Sequence, residues 1–300
     1  MPRVFEYTVK ASELPLSLAA FLKKHGYSRS MIVSMKHHGG VLVNDGFYRM
    51  IDPLTKNDRI RVSLAEETPS LPANTRLDLQ VLYEDDDILA LDKPDDMLVH
   101  PAGKGFEDAA GNFFTAHCPG LIFRPLGRLD RHTTGICLIA KNRLAAAKLT
   151  GKIDKIYYAI AKGRIDAASG IIDAPLLRVG GPVITNQVNE NGKASRTRFW
   201  LLARNEDYSY LRLKLDTGRM HQIRVHMQHI GHPLAGDALY GGSCNEISRQ
   251  ALHCGKIVFT HPVCGHRISL EAPLPEDMRR LLEIIARQKP SSKKDAGSND

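Results

Sequence analysis

Gly127-Arg128-Leu129-Asp130-Arg131-His132-Thr133-Thr134-Gly135 runs straight into Ile136-Cys137-Leu138-Ile139-Ala140, and this join of a charged loop to an apolar run decides how the chain is read. The run has strand length and no polar face, as in a strand covered on both sides. Before it, a carboxylate stands between two arginines. Flanking cations favour the anionic form of Asp130, which equips it as nucleophile or base. The same residues also suit a surface Asp–Arg pair at a strand start, and spacing alone leaves both readings open.

Downstream, Leu144 to Leu149 reads as a short alanine-rich helix. In Lys155-Ile156-Tyr157-Tyr158, strand alternation sends Tyr157 and Lys155 to one face and Tyr158 to the other. One tyrosine packs in the core, and the other either packs there too or is available to stack on a base or move a proton. Leu211, Leu213 and Leu215 alternate with Arg212 and Lys214. The stretch Asp216-Thr217-Gly218-Arg219-Met220-His221-Gln222-Ile223-Arg224-Val225-His226 opens a helix from His221 to Ile230, ended by Gly231. Arg219 near its start and the helix dipole both favour an anion there. Arg224 and Gln228 share a face with His221, a polar stripe that either meets RNA or is the solvated side of an amphipathic helix. Upstream, Leu77 to Val81 and Ile88 to Leu91 read as strands. The class is α+β: a mixed, largely antiparallel sheet with flanking helices.

Residues 1–66 form a separate pattern, a small α/β module. Leu18, Phe21 and Leu22 mark one helix; Ser28 or Ser30 caps a second through Met31 and Met35, ended by Gly39-Gly40. Val41 to Val43 and Ile60 to Leu64 read as strands, with Asn44-Asp45-Gly46 as a hairpin turn. Arg29 and Lys36 give the second helix a cationic face for phosphates. Residues 67–76 read as a linker, 77–288 as the main domain, and 289–300 as a disordered tail.

Lys and Arg number 41 against 33 acidic residues, a formal charge of +8, which makes nucleic acid a plausible partner. The 43% hydrophobic content supports a core. Five cysteines, no apolar N-terminal stretch and no run long enough to span a membrane fit a cytoplasmic protein with free thiols. Cys244, His253, Cys254, His261, Cys264 and His266 are too widely spaced for a zinc site and read as strand and loop residues. Neither a dinucleotide glycine fingerprint nor a phosphate loop is present.

Together these segments resemble the RluA family of pseudouridine synthases, over about residues 77 to 280. The family's histidine-arginine-leucine-aspartate-arginine run, closed by threonine, serine and glycine, stands here as Gly127 to Gly135. Its lysine-x-tyrosine element is Lys155-Ile156-Tyr157, and its threonine-glycine-arginine stretch is Thr217 to His226. Ile88 to Pro94 with His100-Pro101, Gly231 to Asp237 with Tyr240-Gly241, and Glu271 to Pro275 resemble further family segments. Residues 12 to 63 resemble the RNA-binding module named after ribosomal small-subunit protein four.

The resemblance implies the pseudouridine synthase fold, no cofactor, and isomerisation of uridine in structured RNA. Ribosomal RNA is favoured over tRNA, because family members with such a module tend to act on the large ribosomal RNA; no obligate protein partner is evident. It also implies Asp130 as the essential carboxylate, Tyr157 as the active-site tyrosine and Arg219 as the basic partner of Asp130. Lys93, Arg128, Arg131, Lys155, His221 and Arg224 are the expected substrate contacts. The chain departs from the family at Gly127 (usually histidine), His132 (usually acidic), Thr134 (usually serine) and Asp95-Asp96 (commonly alanine-glycine). Two rival readings are a non-catalytic RNA-binding factor and a glycosidase, the latter needing a second acid such as Asp216 or Asp237.

Overall fold

In the N-terminal part, β1 (Val4–Thr8), α1 (Leu18–Lys24), α2 (Arg29–His38), β2 (Val41–Val43), β3 (Gly46–Phe47) and β4 (Arg59–Ser63) follow in order. The structure is a computed structural model that describes residues 3–64, 68–103, 107–181, 184–243 and 245–287; the expected tail lies outside them. The Ser28 hydroxyl accepts the Met31 N–H at 3.3 Å, and Gly39 ends α2 at φ +67°. Asn44 and Asp45, both at positive φ, turn β2 into β3. The strands order β1-β4-β2-β3. Met31 and Met35, one helical turn apart, bury the inner face of α2 with Phe21, Leu22, Val41 and Ile60. Arg29 and Lys36 stay exposed.

The main sheet is built from β5 (Val81–Glu84), β6 (Ile88–Lys93), β7 (Arg124–Pro125), β8 (Thr134–Ala140), β9 (Asp154–Lys162) and β10 (Ser169–Asp173). β11 (Leu176–Val179) and β12 (Thr185–Val188) form a separate ribbon, and β13 (Arg196–Arg204), β14 (Tyr208–Leu215), β15 (Leu252–Thr260) and β16 (Arg267–Glu271) complete the sheet. Its order is β10-β13-β14-β9-β15-β8-β6-β5, with β16 on β15 and β7 on β8. Among the described residues the β8–β15 pair alone is parallel. Every residue of β8 is buried, as its unbroken apolar run requires. Gly135 is where β8 meets β15: a Cβ there would lie 2.3 Å from the Cys254 carbonyl oxygen, and φ is +103°. Only glycine fits that approach.

Among the described residues four helices flank the sheet: α3 (Ala110–His117), α4 (Arg143–Leu149), α5 (Gln222–His229) and α6 (Glu276–Arg287). The fold is the expected α+β class with a largely antiparallel sheet. Leu77 and Leu79 pack against the core but precede the strand, which begins at Val81. The last helix was not anticipated, although Met278, Leu281 and Ile285 recur at helical spacing and are buried. No helix among the described residues is long and apolar enough to cross a membrane.

The two parts share a joint. Leu144 of α4 is fully buried in the core of the N-terminal module. Arg3 donates to both oxygens of Asp87, at 3.1 and 3.0 Å, and Asp87 also accepts from the Asn142 amide at 2.7 Å. Asn142 in turn caps α4, so the helix that enters the module is fixed by the residue that holds Asp87.

Candidate active site

Asp130 lies in the loop between β7 and β8, its carbonyl accepting the Thr133 N–H at 3.0 Å. Two lysines hold that loop, Lys93 buried and Lys155 half-buried. Lys155 donates to the Leu126 carbonyl at 2.9 Å, and its Nζ would stand 2.8 Å from a Cβ on Gly127, which has φ +98°. That ammonium occupies the space a side chain at 127 would need. Lys93, with no exposed surface, donates to the carbonyls of Pro94, Met97 and Arg131 at 2.8, 2.8 and 2.9 Å. Burial pulls its ammonium down to about 8, while Cys137, Asp95 and Asp130 oppose the shift.

The cation facing Asp130 comes from α5. Arg224 Nη1 stands 3.4 Å from Asp130 Oδ2. Its other two nitrogens are taken: Nε and Nη2 donate to the two oxygens of Asp237 at 2.7 and 2.8 Å. Burial works against the charge of this guanidinium, but Asp237 and then Asp130 hold its pKa above the ordinary value. The Tyr240 ring lies beneath it, 5.0 Å from centroid to guanidinium carbon. His221 Nε2 is 3.9 Å from the same Asp130 oxygen. Tyr157, buried on β9, has its phenol pushed well up, by burial first and then by Cys254 and Asp130. It therefore stays protonated at neutral pH. Tyr158 points to the opposite face and stacks on Tyr210 at 6.0 Å, as strand alternation requires.

A carboxylate faced by a half-fixed guanidinium, beside a buried phenol and an imidazole, is a site for acid–base or nucleophilic work on a polar ring. A family model described as RNA pseudouridylate synthase matches residues 87–229. The chain is 35% identical to an uncharacterized RNA pseudouridine synthase of Bacillus subtilis, YlyB, over 87% of this chain and 91% of that one. It is 33% identical to the ribosomal large subunit pseudouridine synthase D of Pseudomonas aeruginosa, over 92% and 95% of the two chains. The chain belongs to the RluA family of RNA pseudouridine synthases. It is an isomerase of uridine in RNA. A solved structure titled Human RNA Pseudouridylate Synthase Domain Containing 1 shares the fold, with a TM-score of 0.57 at 23% identity over 73% of this chain and 98% of that one.

Within the synthase, one expected pairing is corrected. Arg219 does not sit at a helix start facing Asp130; α5 begins at Gln222. The Gln222 side chain closes the preceding turn, accepting from the Thr217 hydroxyl and the Arg219 N–H at 2.9 and 3.0 Å. The Arg219 guanidinium then reaches the Ala194 carbonyl at 3.5 Å, and Arg224 takes the place beside Asp130. The Arg224 side chain is 8% exposed, so it lies inside the fold beside Asp130 and not on the surface stripe read from the sequence.

Other expected contacts are also engaged. Lys93 and Lys155 bind backbone carbonyls, and Arg131 pairs with Asp96 at 2.6 Å. Arg128 is exposed at the loop. The departures at 95, 96 and 132 meet one another: His132 Nδ1 lies 3.0 Å from Asp95 and Nε2 3.8 Å from Asp96. Asp96 keeps the positive φ, +56°, that suits the glycine common there.

Of the rival second acids, Asp216 is held by Arg198 at 2.9 Å and Asp237 by Arg224. Among the described residues two His/Cys/acid groupings have metal-like spacing, but Glu84, beside His117 and Cys118, already receives Lys141. In the other, beside His261, Asp87 receives Arg3 and Asp85 receives the Tyr83 hydroxyl. Of the expected strand and loop residues, Cys244 lies outside the described residues.

Asp237, considered only as a second acid for the rival glycosidase, was missed as the partner of Arg224, and Tyr240 was missed altogether as a site residue. Their segment resembled a family loop, but nothing in its spacing says that it folds back beneath α5.

Proposed function

We propose that this synthase isomerises uridine in large-subunit ribosomal RNA, with Asp130 as the catalytic carboxylate. The observation that carries the assignment is the Arg224 nitrogen aimed at Asp130 while Asp237 locks the rest of the guanidinium. The reaction breaks the bond from ribose carbon 1′ to uracil nitrogen 1 and forms one from carbon 1′ to carbon 5. Carbon 5 gives up a proton and nitrogen 1 gains one, so no atom is added overall. Asp130 either adds to carbon 1′ or takes the 2′ proton, and both roles use the same anion. The uridine has to leave its stack to reach a carboxylate set in the loop between β7 and β8. Tyr157, as a neutral phenol, stacks on the flipped base or moves a proton. Arg128 at the loop, with Arg29 and Lys36 on the module like that of ribosomal small-subunit protein four, binds phosphates. The ribosomal target is supported by the Pseudomonas relative's name and the similarity along nearly its whole length.

The test is Asp130→Asn on large-subunit ribosomal RNA fragments and on tRNA. Turnover is expected to vanish while RNA binding persists, and wild type is expected to act on the ribosomal fragments. Residual activity within about tenfold of wild type, roughly 1.4 kcal/mol of barrier, would remove Asp130 from the chemistry. Activity confined to tRNA would overturn the target.

A further inference from the structure

His221 is positioned by a strand and a tyrosine, not by its own helix. Its backbone sits at φ +54°, in the left-handed region, a conformation that is strained for a non-glycine residue. Asn186 of β12 braces it from both sides. The Asn186 amide donates to the Met220 carbonyl, one residue before the ring, and its backbone N–H donates to the Tyr240 hydroxyl at 3.2 Å. That hydroxyl has accepted one hydrogen bond and has its own hydrogen to give, and the partner within reach is His221 Nδ1 at 2.9 Å.

An imidazole that accepts at Nδ1 carries its proton on Nε2. Nε2 is the atom that faces Asp130 Oδ2. Around the ring stand Asp130 on the catalytic loop, Arg224 on α5, and Asp237 and Tyr240 on the loop after it. Burial, with Arg224, pulls the imidazole below its ordinary value against the two carboxylates, which leaves the ring neutral at neutral pH.

We propose that His221 is a positioning residue for the isomerisation, a Tyr240-fixed Nε2–H tautomer that donates to Asp130. The 3.9 Å gap is longer than a hydrogen bond, and a small rotation of the Asp130 side chain closes it as ribose enters. The Arg224 and His221 nitrogens then meet one oxygen, Oδ2, and leave Oδ1 to address the sugar. This rests on Asp130 as the catalytic carboxylate.

Single-turnover conversion at saturating enzyme tests it, with Asp130→Asn alongside. His221→Leu removes the donor and should lower the rate on the order of 10- to 100-fold, the range for a hydrogen bond to a charged group, with RNA affinity unchanged. His221→Gln restores an N–H at the same reach and should recover to within about threefold of wild type. His221→Gly relieves the left-handed strain, so it should melt no lower than wild type while losing rate like His221→Leu. Tyr240→Phe releases the tautomer and should cost about threefold. A wild-type rate for His221→Leu beside a dead Asp130→Asn overturns the inference and leaves Asp130 standing. An active Asp130→Asn brings down the parent reading instead. A His221→Gln as slow as His221→Leu, or a loss of affinity alone, also overturns the donor role.

Discussion

The synthase builds the same fork twice, once in its proposed active site and once at the joint between its two parts. Arg224 gives Nε and Nη2 to Asp237 and leaves Nη1 3.4 Å from Asp130. Arg3 gives Nε and Nη2 to Asp87 and leaves Nη1 3.4 Å from Asp86. What differs is the medium around the spare nitrogen. Asp86 is 78% exposed, so its contact is worth about 0–1 kcal/mol. Asp130 is 25% exposed and its arginine 8%, so charge there is less screened and better oriented. One fork holds a joint and the other aims a charge, and burial of the third contact decides which.

The largest expected effect breaks the active-site fork. Arg224→Ala leaves Asp130 and Asp237 facing one another without a cation, and the single-turnover rate should fall ~100-fold or more. Arg224→Lys should recover only part of it, since an ammonium cannot hold Asp237 with two prongs and face Asp130 with a third. Arg219→Ala serves as the contrast: its guanidinium reaches a backbone carbonyl, so the chemical step should stay within about twofold. Equal losses for the two arginines would mean that the pairing at Asp130 is shared between them.

Breaking the joint should read out in stability instead. Arg3→Ala strips the buried Asp87 of its fork but leaves the Asn142 amide, and Arg3 itself is 33% exposed. A loss of about 2 kcal/mol follows, below the 3–5 kcal/mol of a fully buried pair. Denaturant unfolding measures it, and the single-turnover rate at saturating enzyme should stay within about twofold. A slower chemical step with unchanged stability would show that the joint feeds the active site.

The charged loop and β8 were legible as structure because an unbroken apolar run after a charged turn reads as a covered strand, and Gly135 explains itself once a strand is placed beside it. The helices of the module were legible through Ser28 and Gly39, whose capping chemistry is local. The partner of Asp130 was not. Arg219 and Arg224 lie five residues apart in one motif, and the helix start decides which faces the loop. That start depends on Gln222 reaching back to Thr217 and Arg219, a tertiary detail that periodicity does not encode. Asp237 and Tyr240 were hidden for a similar reason: their meaning lies in a loop that folds under α5. The shared core at Leu144 was equally invisible, since a leucine on a short helix carries no mark of which domain it enters.

Lys93 sharpens the comparison from the other side, as a buried cation whose three donors all go to carbonyls and none to a carboxylate. Its ammonium titrates at about 8 in the folded protein, mainly through burial, against about 10.4 in an open chain. Below the lower value both states hold the proton, and the cost of burying the charge is constant. Between the two values the unfolded chain holds a proton that the folded one has released, so stability must rise with pH. The limiting slope is about 1.4 kcal/mol per pH unit. Lys93→Met has no proton to release, and it strands three carbonyls, so its stability will be lower at every pH. The informative quantity is therefore the difference between wild type and variant across this interval, where other titrations cancel. That difference should widen in favour of wild type as pH rises from about 8 to about 10. Parallel curves would mean that the carbonyl cage alone keeps the buried ammonium charged, with no need of the carboxylate that both forks employ.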